Sequence, residues 1–295
     1  MEIRKIGQAR RFYPQDEESL YGLIESCFLD KSFGPGKKPE SLDLESRSIV
    51  GGVSPHAGIS ISGPCAAITY SKLFKEKIPD TVIILGTDHI GYGKVALLKE
   101  GRWKTPLGNI NIDDETSNEI INQSNVIIAD ETAFTGPFLE EHNIDVQIPF
   151  IQYCSVDHDV KILPIKISTR NYDLLNKLAS DIATVLKSID KDIVVVASSD
   201  MNHETIYDSR EGLEKFREKD KSVINAFEEF DPEKTFKVAT KPNVHVCGPQ
   251  TITSLMLISK KINCKESQIL KYYTSYDITK SIGWCVGYIS GIFIK

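Results

Sequence analysis

The chain has 295 residues, 41% of them hydrophobic and 26% charged, with a formal net charge of −6. That length and balance suit a single globular domain spanning 1–295, with a substantial core. The acidic balance, without basic runs interleaved with aromatics, argues against a nucleic-acid surface, and no stretch of 18 apolar residues offers a membrane span.

The basic N-terminal residues Arg4, Lys5, Arg10 and Arg11 lead into no apolar segment, so no signal peptide is expected. The six cysteines lie far apart in sequence, which argues against a zinc ribbon, a CxxC pair or a disulfide scaffold. A reducing, cytoplasmic setting is expected. Leu20, Leu23, Ile24, Cys27 and Phe28 follow a helical period and predict a helix over 15–29, with Asp16, Glu17 and Glu18 favouring its first turn. The Gly-, Pro- and Lys-rich stretch 33–39 predicts a loop.

An apolar run over 49–53 enters Ser54-Pro55-His56-Ala57-Gly58, which reads as a buried strand ending in a tight turn with His56 at its rim. A helix to about Lys75 follows. The run 81–86 repeats the device and ends at Thr87-Asp88-His89. Next come a short strand over 95–98, a loop around Trp103 over 102–108, a helix over 113–123 and a short strand over 126–129. In Glu141-His142-Asn143-Ile144-Asp145-Val146-Gln147-Ile148-Pro149-Phe150, Asn143 suits the N-cap of a helix running through Ile151. A strand over 160–167 and a helix over 172–189 precede the third apolar strand, 193–197, which runs into Ser198-Ser199-Asp200-Met201-Asn202-His203. A charged helix over 209–230, a shorter one over 232–240 and a helix over 250–260 behind Val246-Cys247-Gly248-Pro249 follow. Strands over 270–276 and 284–294 close the chain. The alternation implies an α/β fold with helices flanking a mostly parallel sheet. Three strands then deliver a histidine past their C-terminal ends, the edge where open parallel sheets bind ligands.

His56, His89 and Cys247 are candidate metal ligands, because imidazole and thiolate both bind divalent transition metals. Cys247 stands at an expected helix start, where the dipole favours a thiolate. The plainer alternative is a pair of strand-end histidines and an inert buried thiol. His142 and His203 are candidate acid–base groups. Glu140, Glu141 and Asp200 could orient them, although the two glutamates read equally well as surface charges. Asp200, following a hydrophobic strand and two serines, is harder to place in solvent. His158, in a polar turn, and His245, between valines, are weaker candidates. Gly-x-Ser-x-Gly, Gly-x-Gly-x-x-Gly and Walker A sequences are absent, so α/β-hydrolase and nucleotide chemistry have no support.

The five stretches quoted around His56, His89, His142, Asp200 and Cys247, in that order, resemble the Memo family, whose bacterial and archaeal members are called AmmeMemoRadiSam system protein B. The resemblance implies a three-layer α/β/α sandwich like that of class III extradiol ring-cleaving dioxygenases. It implies metal ligands at His56, His89 and Cys247, with His142, Asp200 and His203 as catalytic groups in the same pocket. The implied cofactor is Fe(II), with Cu or Zn as alternatives, and the implied activity is that of a metal-dependent oxidoreductase. The alternative is a non-catalytic module binding a peptide, an anion or a metal beside a radical-SAM partner. A small molecule or peptide is the expected cleft ligand. Two departures stand out. Phe12-Tyr13 replaces the family's frequent Trp-Tyr, and Asp88 beside His89 could support a ligand or compete as one.

Overall fold

The computed structural model describes residues 11–207 and 210–295, Gly7 and the backbone of 2–4. Lys5, Arg10 and Ser209, named above, lie outside the described residues. The chain runs β1 (Glu2–Arg4), α1 (Glu17–Leu29), β2 (Ile49–Ser54), α2 (Ile59–Leu73), β3 (Thr81–Thr87), β4 (Ala96–Leu97), β5 (Arg102–Thr105), β6 (Gly108–Asn111), α3 (Asp114–Gln123), β7 (Ile128–Ala129), α4 (Ile148–Cys154), β8 (Lys161–Ile167), α5 (Tyr172–Ser188), β9 (Ile193–Ser198), β10 (His203–Ile206), α6 (Glu211–Glu228), α7 (Pro232–Ala239), α8 (Pro249–Lys261), β11 (Glu266–Thr274), α9 (Ser275–Thr279) and β12 (Gly283–Ile294). No helix among the described residues is long and apolar enough to cross a membrane.

Among the described residues, nine strands form one sheet in the order β10-β12-β2-β9-β3-β8-β4-β7, with β11 also paired to β12. The centre, β2-β9-β3-β8, is parallel, as the alternation of elements predicts. Both flanks add antiparallel pairs, so the sheet is mixed. The central strands read as unbroken apolar runs because both of their faces are covered. In β3, Ile83 and Leu85 join a core with residues of α5 and α8, while Val82 and Ile84 join one with residues of α1, α2 and α4. This is the expected α/β/α layering.

The register sets up the ligand edge. Ala197 pairs with both Val53 and Leu85, and Leu85 pairs with Ile165. The strands therefore end level, and the segments carrying His56, His89 and Asp200 leave the sheet together.

Three local expectations are corrected. The stretch 102–108 is a hairpin, β5–β6, in a small sheet with β1. Its alternation buries Trp103 and Thr105 between exposed Arg102 and Lys104, and Gly108 takes the positive φ of 112° that the turn requires. Trp103 finds a buried acceptor for its Nε1–H in Asp145 Oδ1 at 2.8 Å, so tertiary packing overrides a locally polar pattern. Asn143 caps no helix. Its side chain is buried, donating to Thr87 O at 2.7 Å and Glu141 Oε1 at 2.6 Å, and α4 starts only at Ile148 after a 3-10 turn over Asp145–Gln147. The strand expected over 270–276 is β11, Glu266–Thr274, which stops where Thr274 and Asp277 form the capping box of α9.

Candidate functional site

Beyond the strand ends, His56 Nε2 lies 3.2 Å and His89 Nε2 2.8 Å from Cys247 Sγ. One ligand atom from each of the three side chains lies within 4.8 Å of the other two. Cys247 arrives from the opposite direction, just ahead of α8. Its segment is stitched to the end of β9 by Cys247 N to Asp200 O (3.3 Å), Gly248 N to Ser199 Oγ (2.9 Å) and Thr251 Oγ1 to Ser198 O (3.1 Å). A Cβ at Gly248 would stand 2.6 Å from Thr251 Oγ1, so this close approach requires glycine. Gly86 does the same for the Glu141–Ile144 segment, since a Cβ there would stand 2.2 Å from Asn143 Oδ1.

Hydrogen-bond arithmetic fixes how the two imidazoles face the sulfur. Ser198 Oγ donates its one proton to Asn143 O at 2.7 Å. Gln147 Nε2 donates to Ser198 Oγ and to Pro55 O, both at 2.9 Å, while its Oε1 accepts from Tyr70 OH at 2.9 Å. Ser198 can therefore only accept from His56 Nδ1, 3.0 Å away. His89 Nδ1 lies 2.8 Å from Glu141 Oε1, an acceptor, and Glu141 Oε2 also takes the His89 backbone N–H at 2.7 Å. When neutral, both histidines thus carry their proton on Nδ1 and turn a bare Nε2 to Cys247. One thiol proton can serve only one of the two lone pairs. A cation serves both, and outer acceptors on Nδ1 are the usual support for metal-ligating histidines. The residues present fit a metal.

Electrostatics separates the groups. Burial pushes His56 down to about 3, and it pushes His142, with His89 nearby, to about 4. Burial also disfavours charge on His89, but its bonds to Cys247 and Glu141 outweigh that and raise it to about 10. Glu141 is buried too, yet its bonds from His89 hold it near 2. Burial pushes the Cys247 thiol up, against the pull of His89. Desolvation therefore outweighs the helix-dipole effect expected for this cysteine.

Asp200 is buried. Its Oδ1 accepts from His56 N at 2.8 Å, and its Oδ2 lies 3.2 Å from His203 Nε2. Neither Asp200 Oδ2 nor His203 Nε2 has a hydrogen-bond partner of good geometry. Burial opposes charge on Asp200, but His56 and His203 hold its carboxyl well below the usual range. His142 is stacked between Phe12, at 4.0 Å, and His89, at 5.1 Å. A cleft of about 510 Å³ opens beside these groups, walled by Phe12, Ile61, Trp284 and Tyr288, with His142, Asp200 and His203 on its floor.

The structure thus gathers all six candidates, His56, His89, His142, Asp200, His203 and Cys247. Glu140 is exposed, while Glu141 is buried; its carboxylate holds the His89 ring at 2.8 Å and also takes the His142 backbone N–H at 3.2 Å. Asp88 turns away, accepting from Gly93 N at 2.9 Å and Ser168 Oγ at 2.8 Å. His158 is exposed. Sequence reasoning missed Ser198 as the partner of His56 and Gln147 as the residue that holds Ser198. The one signal for Gln147 was an amide inside an otherwise apolar run, which in a buried segment calls for partners.

A family model described as "Memo-like protein" matches residues 4–292. A MEMO1 family protein of Sulfurisphaera tokodaii is 40% identical over 291 residues, covering 98% of each chain. One of Methanobrevibacter smithii is 38% identical over 293 residues, covering 99% of each. Among solved structures, uncharacterized protein JW3007 from Escherichia coli K12 matches with a TM-score of 0.50 at 9% identity, over 84% of this chain and 100% of that one. That likeness concerns the fold alone.

Proposed function

The chain belongs to the Memo family, and from that premise we propose that its cleft is the site of a metal-dependent oxidoreductase of the extradiol type, with His56, His89 and Cys247 as ligands. The observation that carries this reading is the convergence of two imidazole Nε2 atoms on one sulfur, 3.2 and 2.8 Å away, with both Nδ1 atoms held from outside by Ser198 and Glu141. Fe(II) is the proposed metal, with Cu or Zn as alternatives that a soft thiolate favours. When bound, such a metal supplies Lewis-acid activation of a ligated hydroxyl and a site for O2.

The chain's own residues divide the remaining work. Ser198 and Glu141 hold the ligand imidazoles in register. His203 lines the cleft and is the proposed group that takes up and returns a substrate proton. Asp200, 3.2 Å away, orients it and balances its charge. His142, held neutral by burial, is the second proton carrier. Six unpaired cysteines support a reducing, cytoplasmic setting as part of this reading.

A second reading follows from Cys247. A thiol ligand is oxidisable beside O2, which favours a module that holds a peptide, an anion or a metal, acting with a radical-SAM partner. Metal analysis of protein purified without chelators separates the two. The oxidoreductase reading expects stoichiometric iron, its loss in Cys247→Ala, and O2 uptake on a catechol. His203→Ala keeps the metal and loses turnover. Sub-stoichiometric metal that is unchanged in Cys247→Ala sinks the metal centre, and full iron without O2 uptake leaves the binding module.

A further inference from the structure

The cleft does not stop at its apolar chamber. Behind His203 and Trp284 lies a second hollow of about 490 Å³, lined also by Arg170 from the β8–α5 connection, Lys241 beyond α7, His245 and Cys247. His203 and Trp284 wall both chambers, their rings 6.1 Å apart and nearly perpendicular.

The two chambers differ in kind. In the first, the only charged wall residue is Asp200, and apolar surface dominates. No carboxylate lines the second. Arg170 and Lys241 are both exposed, and among the described residues neither side chain has an ion pair or a hydrogen bond. What sets these two apart is their place: both line one hollow that offers them no carboxylate. In a chain of net charge −6, two neighbouring uncompensated cations facing one hollow concentrate positive potential there. A guanidinium and an ammonium together suit the oxygens of a carboxylate or phosphate.

We propose that this second chamber is an oxyanion subsite, and that the cleft takes an amphipathic small molecule. Its apolar, ring-sized body fills the first chamber, and its carboxylate or phosphate passes Trp284 to Arg170 and Lys241. The substrate assignment rests on reading the cleft as the reaction site. The subsite itself stands without a metal.

Tryptophan fluorescence gives the test. The chain has two tryptophans. Trp103 is 1% exposed and Trp284 64%, so a ligand-dependent change in acrylamide quenching reports on Trp284. Phenylacetate, phenyl phosphate and 2-phenylethanol are titrated into the wild type and the R170A/K241A variant, each stripped of metal and then reloaded with Fe(II). We expect one or both anions to bind the wild type roughly tenfold more tightly than the alcohol, loaded or stripped. R170A/K241A abolishes that preference and leaves alcohol binding and the melting temperature unchanged. The tighter anion decides between carboxylate and phosphate. Equal binding of anions and alcohol overturns the subsite, as does a preference that survives in R170A/K241A. A preference confined to the Fe(II)-loaded protein and indifferent to the two substitutions puts the anion on the metal, overturning the subsite while the metal reading stands. An intact preference in a protein that retains no iron does the reverse.

Discussion

At the N-terminal end of the central strands, Asp113 accepts from Thr81 Oγ1 and Thr116 Oγ1, each at 2.6 Å, and from Lys191 Nζ at 2.8 Å. Beside it, Arg47 grips Asp192 through Nε at 2.8 Å and Nη2 at 2.7 Å and also donates to the carbonyls of Ile49, Leu73 and Lys77. At the C-terminal end of the same strands, Asp200 Oδ2, His203 Nε2 and Asn143 Oδ1 are buried without a hydrogen-bond partner. Asp113 and Arg47 find a partner for each polar atom named, whereas at the other end Asp200 and His203 approach to 3.2 Å without hydrogen-bond geometry.

Asp220 shows what separates the two ends. Like Asp113 it is fully buried, but its donors are Asn202 N at 3.0 Å, Asn202 Nδ2 at 2.7 Å and Tyr272 OH at 2.8 Å, with no cation. Burial raises Asp220 to about 6, whereas Lys191 and two threonines offset the burial of Asp113 and hold it at about 2. Asp220 props the Asp200–His203 segment from behind, so the ligand edge stands on a carboxylate with no countercharge.

The largest expected effect that would break this contrast belongs to the closed end. Arg47→Ala leaves Asp192 and three carbonyls unserved, and urea denaturation should show a loss of about 3–5 kcal/mol with metal content unchanged. A small loss, or a loss of metal, would mean that the two ends are not independent. Next is Asp220. The folded state keeps its proton up to about pH 6, against an ordinary value of 3.8. Stability should therefore fall as the pH rises from 4 to 6, by roughly 3 kcal/mol, and D220N should flatten that slope. An unchanged slope in D220N would assign it to another group. The smallest effect sharpens the open end. Glu141→Gln weakens the hold on His89 Nδ1, and chelator competition should show metal affinity down by about 10- to 100-fold. Unchanged affinity would remove Glu141 from the centre.

How much was legible follows from the range of each interaction. The strand-end histidines could be read because doubly covered strands write themselves as apolar runs, and parallel pairing brings their ends level. Their partners could not. Ser198 is 142 residues from His56, and Gln147 is 92 from Pro55, and no local pattern encodes such pairs. Glu141 read equally as an orienter of His142 or as a surface charge, because nothing local separates it from Glu140, which is exposed. Asn143 read as a cap because asparagine favours caps, until Thr87 and Glu141 offered its amide a buried alternative. Trp103 read as a loop residue because its strand alternates with Arg102 and Lys104, and only Asp145 explains its burial.

The span between His56 and Cys247 is 191 residues, and that between His89 and Cys247 is 158. On a ribosome adding about 5–20 residues per second, both histidines are made roughly 10–30 s before the sulfur that completes the set. The three side chains therefore converge only once most of the chain has been made, and the pocket they line is among the last parts of the molecule that synthesis completes.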